Sequence, residues 1–261
     1  MLNKAPWKGY IKPGKIFGNL YFVGTQPSSV HLIDTGDGLI LIDTGYLDNL
    51  YLTVDNIRSL GFDTKDIKYI VLSHGHFDHV NGAAALVHLT GAKTFIGRPD
   101  LSLVNGEVNH FDRPVYPFTP NVLLDDGDKI TLENTVIECM LTPGHTDGTM
   151  SFFFDVTDGE KTYRAGMFGG AGTNTLTREF LTRTGLPFDN RRKFLESIER
   201  LEKEKVEIFI GNHVENNDTA GKLRAAEESD INPFIDGEAW QRFLNKCREK
   251  LEEKIKEEKV F

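Results

Sequence analysis

The densest chemistry in the chain lies in seven consecutive residues, Ser73-His74-Gly75-His76-Phe77-Asp78-His79. They place three imidazoles and one carboxylate directly after the apolar run Tyr69-Ile-Val-Leu72. Imidazole nitrogen and carboxylate oxygen are ligands for divalent cations. In an extended loop alternate residues face one side, so His74, His76 and Asp78 share a direction, while His79 turns with the start of the next helix. Four such donors crowd a single ion that prefers about four ligands in a tetrahedron, so the segment points to two neighbouring metal sites completed from elsewhere. Two further histidines are placed to complete them. His145 stands in Thr142-Pro-Gly-His-Thr146 and His213 in Gly211-Asn-His-Val214, each directly after a strand-like run. Five of the eight histidines fall in these three segments, a concentration that ordinary capping or core histidines do not produce. The other three read as ordinary: His31 in a strand, His88 near a helix end, and His110 in a long loop, from which it can reach a substrate.

The segments that must position these residues alternate between strands and helices. Leu20–Val23, Val30–Ile33 and Leu39–Ile42 form a β-meander punctuated by turns such as Asp34-Thr-Gly-Asp-Gly38. Between Asp48 and Leu60 the apolar residues Leu50, Val54, Ile57 and Leu60 recur at helical spacing, with Gly61 as a stop. The histidine-rich segment therefore sits on a strand-to-helix loop between Tyr69–Leu72 and a helix over Gly82–Leu89. Arg98–Pro120 reads as one long loop, with four prolines and the aromatics Phe111, Tyr116 and Phe118. A second β-rich block follows (Lys129–Leu132, Thr135–Leu141, Met150–Asp155, Thr162–Ala165), then a helix over Asn190–Lys203, the strand Val206–Ile210 and an amphipathic helix over Ala239–Lys259. No polar linker divides the chain and no repeat is present. The expectation is a single domain, 1–261, of the α/β class, in which two sheets pack face to face and helices cover the outside.

Composition narrows the function. The chain has 261 residues, 39% apolar and 26% charged, with a formal net charge of −9. That acidic balance argues against nucleic acid as a partner, because nucleic-acid binders display a basic face. No apolar run approaches the ~18 residues that cross a bilayer, and Met1–Gly9 lacks the apolar core of a signal peptide. No membrane partner and a cytoplasmic location are expected. The two cysteines, Cys139 and Cys247, lie too far apart in sequence to suggest a disulfide framework or a metal pair.

The motif His74-Gly-His-Phe-Asp-His79, with Leu41-Ile-Asp-Thr-Gly45 before it and Pro143-Gly-His-Thr146 after it, resembles the metallo-β-lactamase superfamily. The resemblance runs from about Asn19 to Leu251. Within the superfamily, Leu60-Gly-Phe-Asp-Thr-Lys-Asp-Ile67, Leu124-Asp-Asp-Gly-Asp128, His145-Thr-Asp-Gly-Thr149 and Asn232-Pro-Phe-Ile-Asp236 are most similar to the subclass B3 enzymes. It implies an αβ/βα four-layer sandwich with two zinc ions per chain at one edge of the sheets. By motif, His74, His76 and His145 would hold the first zinc, and Asp78, His79 and His213 the second. Asp43 resembles the acid that orients a zinc-bound histidine, although an aspartate in a turn also serves structural hydrogen bonds. In such a site water becomes hydroxide near neutral pH and attacks a polarised carbonyl, with Asp78 both binding the second zinc and orienting the nucleophile.

Two departures shape the expected substrate. Many hydrolases of the superfamily bridge their metals with an aspartate at the end of a late strand; the matching segment here, Tyr163-Arg-Ala-Gly-Met-Phe-Gly-Gly170, holds no acid, and Met167 occupies that neighbourhood, read as ordinary packing. This favours the B3 pattern over thioester or lactone hydrolysis. B3 enzymes, however, commonly hold the substrate carboxylate with serines after this strand. Phe168-Gly-Gly-Ala-Gly-Thr-Asn174 has none, reads equally as a flexible turn, and leaves backbone N–H groups or Thr173 and Asn174 to substitute. The cysteine pair of exported B3 enzymes is also missing, with Val206 at one of its positions. The leading expectation is a dinuclear zinc β-lactamase acting on a small-molecule substrate. A hydrolase of the same fold for another ester, lactone or amide is the alternative. An iron-binding redox module, a third reading, is disfavoured by a set of five imidazoles to one carboxylate.

Overall fold

The structure, a computed structural model, describes residues 5–258. Its first sheet follows chain order, β1 (Gly14–Phe17), β2 (Leu20–Phe22), β3 (His31–Asp34), β4 (Leu39–Ile42), β5 (Ile67–Val71), β6 (Lys93–Gly97) and β7 (Val122–Leu124). The meander β1–β4 is antiparallel; from β4 onward the strands run parallel. The crossovers this requires are supplied by helices. These are α1 (Leu50–Ser59), between β4 and β5, and α2 (Phe77–Val80) with α3 (Ala83–Thr90), between β5 and β6. The second sheet has the order β12 (Ile208–Phe209), β11 (Thr162–Met167), β10 (Met150–Thr157), β9 (Thr135–Leu141), β8 (Lys129–Leu132), antiparallel except where β12 joins β11.

Side-chain alternation sorts the core into three layers of contact. Ile40 and Ile42 of β4 and Phe152 and Phe154 of β10 point into the space between the sheets, where Met167 is also fully buried. The alternate residues Leu39 and Leu41 face outward onto Leu50 and Ile57 of α1 and Leu86 of α3. On the far side Phe153 and Phe209 meet α6 (Asn190–Leu201) and α8 (Ala239–Glu257) through Phe194, Ile198, Trp240 and Leu244. The result is the expected four-layer αβ/βα sandwich. Met167 is a packing residue, as read from the sequence.

Several local expectations need correction. Arg98–Pro120 is not loop throughout, because a 3-10 turn, Arg98–Asp100, and the short helix α4 (Leu101–Val104) open it. Two helices escaped the periodicity reading. One is α5 (Arg178–Thr184), where the Thr177 side chain accepts from Phe180 N and Gly185 follows at φ +70°; the other is α7 (Thr219–Glu228), capped by Asp218. The last strand is only Ile208–Phe209, and α8 ends at Glu257, with Lys259 outside the described residues. Of the N-terminal segment Met1–Gly9, residues 1–4 also lie outside them. No described helix is long and apolar enough to cross a membrane.

Candidate metal centre

Parallel pairing sends the ends of β4, β5 and β6 to one edge of the first sheet, and the loops leaving β9, β11 and β12 meet them there. Asp43 follows β4, Ser73–His79 follows β5, His145 lies between β9 and β10, and His213 follows β12. The structure brings His74, His76 and His145 into one cluster and Asp78, His79 and His213 into a second, the donor atoms of each lying within 4.8 Å of one another. One point of the sequence reading changes: Asp78 is not on an extended loop beside His74 and His76. The backbone is extended only to His76, and α2 begins at Phe77, which turns Asp78 toward His79.

The spacings suit a bound cation. Zinc–nitrogen bonds of 2.0–2.1 Å in a tetrahedron put neighbouring donors about 3.3–3.4 Å apart. In the second cluster His79 Nε2 is 3.3 Å from His213 Nε2 and 3.4 Å from Asp78 Oδ2, which is 3.5 Å from His213 Nε2. In the first, His76 Nδ1 is 3.0 Å from His145 Nε2, and His74 Nε2 is buried with no hydrogen-bond partner. A buried polar atom without a partner is costly unless something absent from the protein satisfies it. Burial, reinforced by neighbouring imidazoles, holds His74 and His76 well below the usual histidine pKa, and burial pushes His145 down to about 4, so all three offer lone pairs at neutral pH. The second cluster behaves differently. Burial opposes a charge on His79, but the Asp78 and Asp43 carboxylates prevail and raise it to about 10; in return, against burial, His79 and His213 hold Asp78 below the usual carboxylate range.

Three of the imidazoles are also held from behind. Asp43, at φ +60° in its turn, accepts from His79 Nδ1 and Ser73 Oγ through Oδ2, both at 2.8 Å, and from Ser73 N through Oδ1 at 2.7 Å. Ser73 Oγ in turn lies 3.1 Å from His74 Nδ1. One carboxylate thus fixes a histidine of each cluster. Gly172 O accepts from His145 Nδ1 at 2.7 Å, with Thr175 Oγ1 beside it at 3.1 Å. Ser28 Oγ donates to Asp78 Oδ2 at 3.3 Å.

Sequence reasoning missed three contributors. Asp100, fully buried, accepts from Gly75 N, Thr146 Oγ1 and Gly148 N at 2.7–2.8 Å and so ties the His74–His76 loop to the His145 loop. Burial, only partly offset by these donors, pushes its carboxyl up to about 6. No spacing pattern in the sequence announces it. Ser73 is the second. His110 is the third, and it departs from its ordinary reading: its ring is buried, with Nδ1 3.3 Å from His76 Nε2. His31 is an ordinary core histidine bonded to Gly211 O, and the two cysteines are unpaired.

The glycine-rich segment after β11 is a tight strap, not a flexible turn. A Cβ at Gly169 would lie 1.8 Å from Met150 O, one at Gly170 2.9 Å from His145 Cβ, and one at Gly172 3.1 Å from His145 Cε1. Its glycines exist because the backbone must pass against the His145 loop. Beyond them Thr173 and Asn174, with Phe111 from the loop after α4, line a cavity of about 540 Å³ whose floor includes His76, Asp78, His145 and His213.

A family model described as the metallo-beta-lactamase superfamily matches residues 23–159, just over half of the chain. Hydroxyacylglutathione hydrolase of Shewanella halifaxensis is 28% identical over 248 residues, covering 86% of this chain and 85% of that protein. An N-acyl homoserine lactonase of Bacillus thuringiensis is 25% identical over 250 residues, covering 82% of this chain and 90% of the lactonase. Among solved structures, BJP-1, a subclass B3 metallo-β-lactamase of Bradyrhizobium japonicum, superposes with a TM-score of 0.89 at 27% identity over 98% of both chains. FEZ-1 of Legionella gormanii follows at 0.88 and 28%, over 95% of this chain and 97% of its own. The fold, the clustered histidines and these likenesses agree: the chain belongs to the metallo-β-lactamase superfamily and is a metal-dependent hydrolase.

Proposed function

We propose that the chain is a dinuclear zinc hydrolase of the subclass B3 type that opens the amide of a β-lactam ring. The observation that carries this is the pair of three-donor clusters, the donors of each within 4.8 Å of one another and those of the second at 3.3–3.5 Å, close to the edges of a zinc tetrahedron, with the buried Met167 closing β11 where other hydrolases of the superfamily are expected to insert a bridging acid. His74, His76 and His145 would hold one ion, and Asp78, His79 and His213 the other. Zinc supplies at such a site a Lewis acid that polarises a carbonyl and makes water nucleophilic at neutral pH. The protein's own part is positional. Asp78, braced by Ser28, orients the attacking water, which makes it the catalytic carboxylate of the proposal. Asp43 keeps the proton of His79 on Nδ1, so that Nε2 presents its lone pair to the ion. The strap Gly169–Gly172 and the Phe111 loop shield the cavity.

A second reading, hydrolysis of a different ester, lactone or amide, is favoured by the strap. It has no serine to meet a β-lactam carboxylate, and sequence relatives include a lactonase and a hydroxyacylglutathione hydrolase. Hydrolysis of a cephalosporin and a carbapenem by protein of known zinc content, by His79→Ala, and after chelation tests the first reading. Turnover lost in both controls supports it. A protein that holds two zinc ions, opens neither ring and hydrolyses esters or lactones overturns it in favour of the second.

A further inference from the structure

The cavity over the two clusters has a third wall, and it is cationic. Lys246, Lys250 and Lys254 of α8 all line it. Spaced four residues apart on a helix rising 1.5 Å per residue, they form a row about 12 Å long on one face, with neighbours about 6 Å apart. At one end Lys254 Nζ donates to Thr173 O at 3.3 Å, next to the Gly172 carbonyl that holds His145. At the other end Lys246 shares the wall with Asn216, three residues past His213.

The arginines and lysines of α8 are used differently. Arg242 pairs with Asp236 and Glu238, and Arg248 with Glu202, which fastens the helix to the fold. Among the described residues none of the three lysines has a carboxylate partner. Burial first and then the neighbouring Lys250 charge hold the Lys254 ammonium below its ordinary value, against the opposing pull of Glu258 and Glu257. Only two carboxylates share the cavity wall, Asp78 in the second cluster and Glu215. In a chain of net charge −9 this is a row of lysines without ion-pair partners among the described residues, and it lines the same cavity as the candidate reaction centre.

We propose that the α8 row is the subsite for the non-reacting arm of the substrate, and that this arm carries two anionic groups, carboxylate or phosphate, about 6 Å apart. The inference rests on the hydrolase reading of the cavity and extends it to the substrate class. A substrate with one anion beside its scissile bond engages one ammonium; a dianionic arm engages two while its reactive carbonyl stays over the clusters. Lysines, as flexible point charges, accept either kind of anion.

The test is a binding measurement that does not depend on turnover. In an extended peptide residues i and i+2 face one side about 6.6 Å apart, so acetyl-Glu-Gly-Glu-amide matches the spacing of the row. Its affinity for the zinc-loaded and the metal-free protein is measured by calorimetry beside the Gln-Gly-Gln and phosphoserine-Gly-phosphoserine analogues. The same titrations are made on the triple variants Lys246→Gln/Lys250→Gln/Lys254→Gln and Lys246→Arg/Lys250→Arg/Lys254→Arg. The expected result is at least a tenfold preference for an acidic peptide over the Gln peptide in both metal states, weakened by salt, lost in the Gln variant and kept in the Arg variant. Whichever acidic probe binds tighter identifies the anion. Equal binding of acidic and Gln peptides, or a preference that survives in a folded Gln variant, overturns the proposal. Anion binding without turnover of any lactam or ester would count against the hydrolytic reading alone.

Discussion

Asp43→Asn isolates what the buried carboxylate contributes, because asparagine keeps the shape and tolerates the φ of +60° at this turn. Its Oδ1 can still accept from Ser73 N, but an NH2 group replaces Oδ2 and faces His79 Nδ1 at the 2.8 Å position. Two donors cannot share that contact. His79 therefore moves its proton to Nε2, the atom that lies 3.3–3.4 Å from His213 and Asp78, and the lone pair of the second cluster is lost. Loss of such an orienting partner lowers metal affinity about 10–100-fold, or about 1.4–2.7 kcal/mol. The first cluster is reached through the same oxygen: Ser73 Oγ loses its acceptor at Oδ2 and is left to donate to His74 Nδ1, which favours the His74 proton on Nε2, so the first affinity should fall as well, by less than the second because the contact is indirect. The metal-free fold should lose about 2–4 kcal/mol, since a buried charge-assisted hydrogen bond is replaced by a mismatched pair. Chelator-competition titration resolves the two zinc affinities, and denaturant unfolding gives the stability. A second-site affinity within a factor of about two of wild type would refute the tautomer argument.

Gly169→Ala should cost about 3 kcal/mol or more, because its Cβ would strike the Met150 carbonyl at 1.8 Å, whereas Gly127→Ala, at φ +84° with open space around it, should cost about 1 kcal/mol; thermal unfolding compares them. His31 and His145, both pushed by burial from 6.5 down to about 4, bind protons more weakly folded than unfolded, so each should remove about 3 kcal/mol from the metal-free protein as pH falls from 6.5 to 4. Denaturant midpoints across that range check this, and His31→Gln should flatten the slope. Asp100 works in the opposite sense. Its carboxyl, raised to about 6, binds its proton more tightly folded than unfolded, so it should remove about 3 kcal/mol as pH rises from about 4 to 6. Comparing the same pH series for wild type and Asp100→Asn gives the measurement. Zinc at 100 times its dissociation constant should stabilise the fold by about 2.7 kcal/mol per site, and a midpoint that ignores zinc would contradict metal binding.

Much of the site was legible because its donors are local. His74, His76, Asp78 and His79 announce themselves by type and spacing, and His145 and His213 by following strands; strand-end loops gather where parallel strands finish. The layers were legible because helices interleave with two strand-rich blocks and no polar linker divides them, whereas the faces of Phe152, Phe153 and Phe154 were not, since three identical apolar residues carry no alternation. Contacts made across sequence distance were not legible either. Asp100 reaches Gly75, Thr146 and Gly148 from 25 to 48 residues away, and nothing near Arg98-Pro-Asp100 marks it as buried. Helices α5 and α7 are short and weakly amphipathic, stabilised by the caps Thr177 and Asp218. The conformation of the strap stayed open in the sequence because a glycine that admits a neighbouring backbone and one that permits a turn look alike there.

The sharing of Asp43 between a histidine of each cluster bears on how the centre would fill. An ion at the first cluster fixes His74 Nε2 as the donor, and hence the proton on Nδ1 that meets Ser73 Oγ. The serine hydroxyl must then point at Asp43, whose same oxygen receives the His79 proton. Whatever the first ion does to the direction of that hydrogen-bond chain, the second ion inherits, and by linkage the second alters the affinity of the first by the same factor. Two ions bound here would therefore load as a coupled pair, and the share of singly occupied molecules in a partly metallated sample would depart from what independent sites predict.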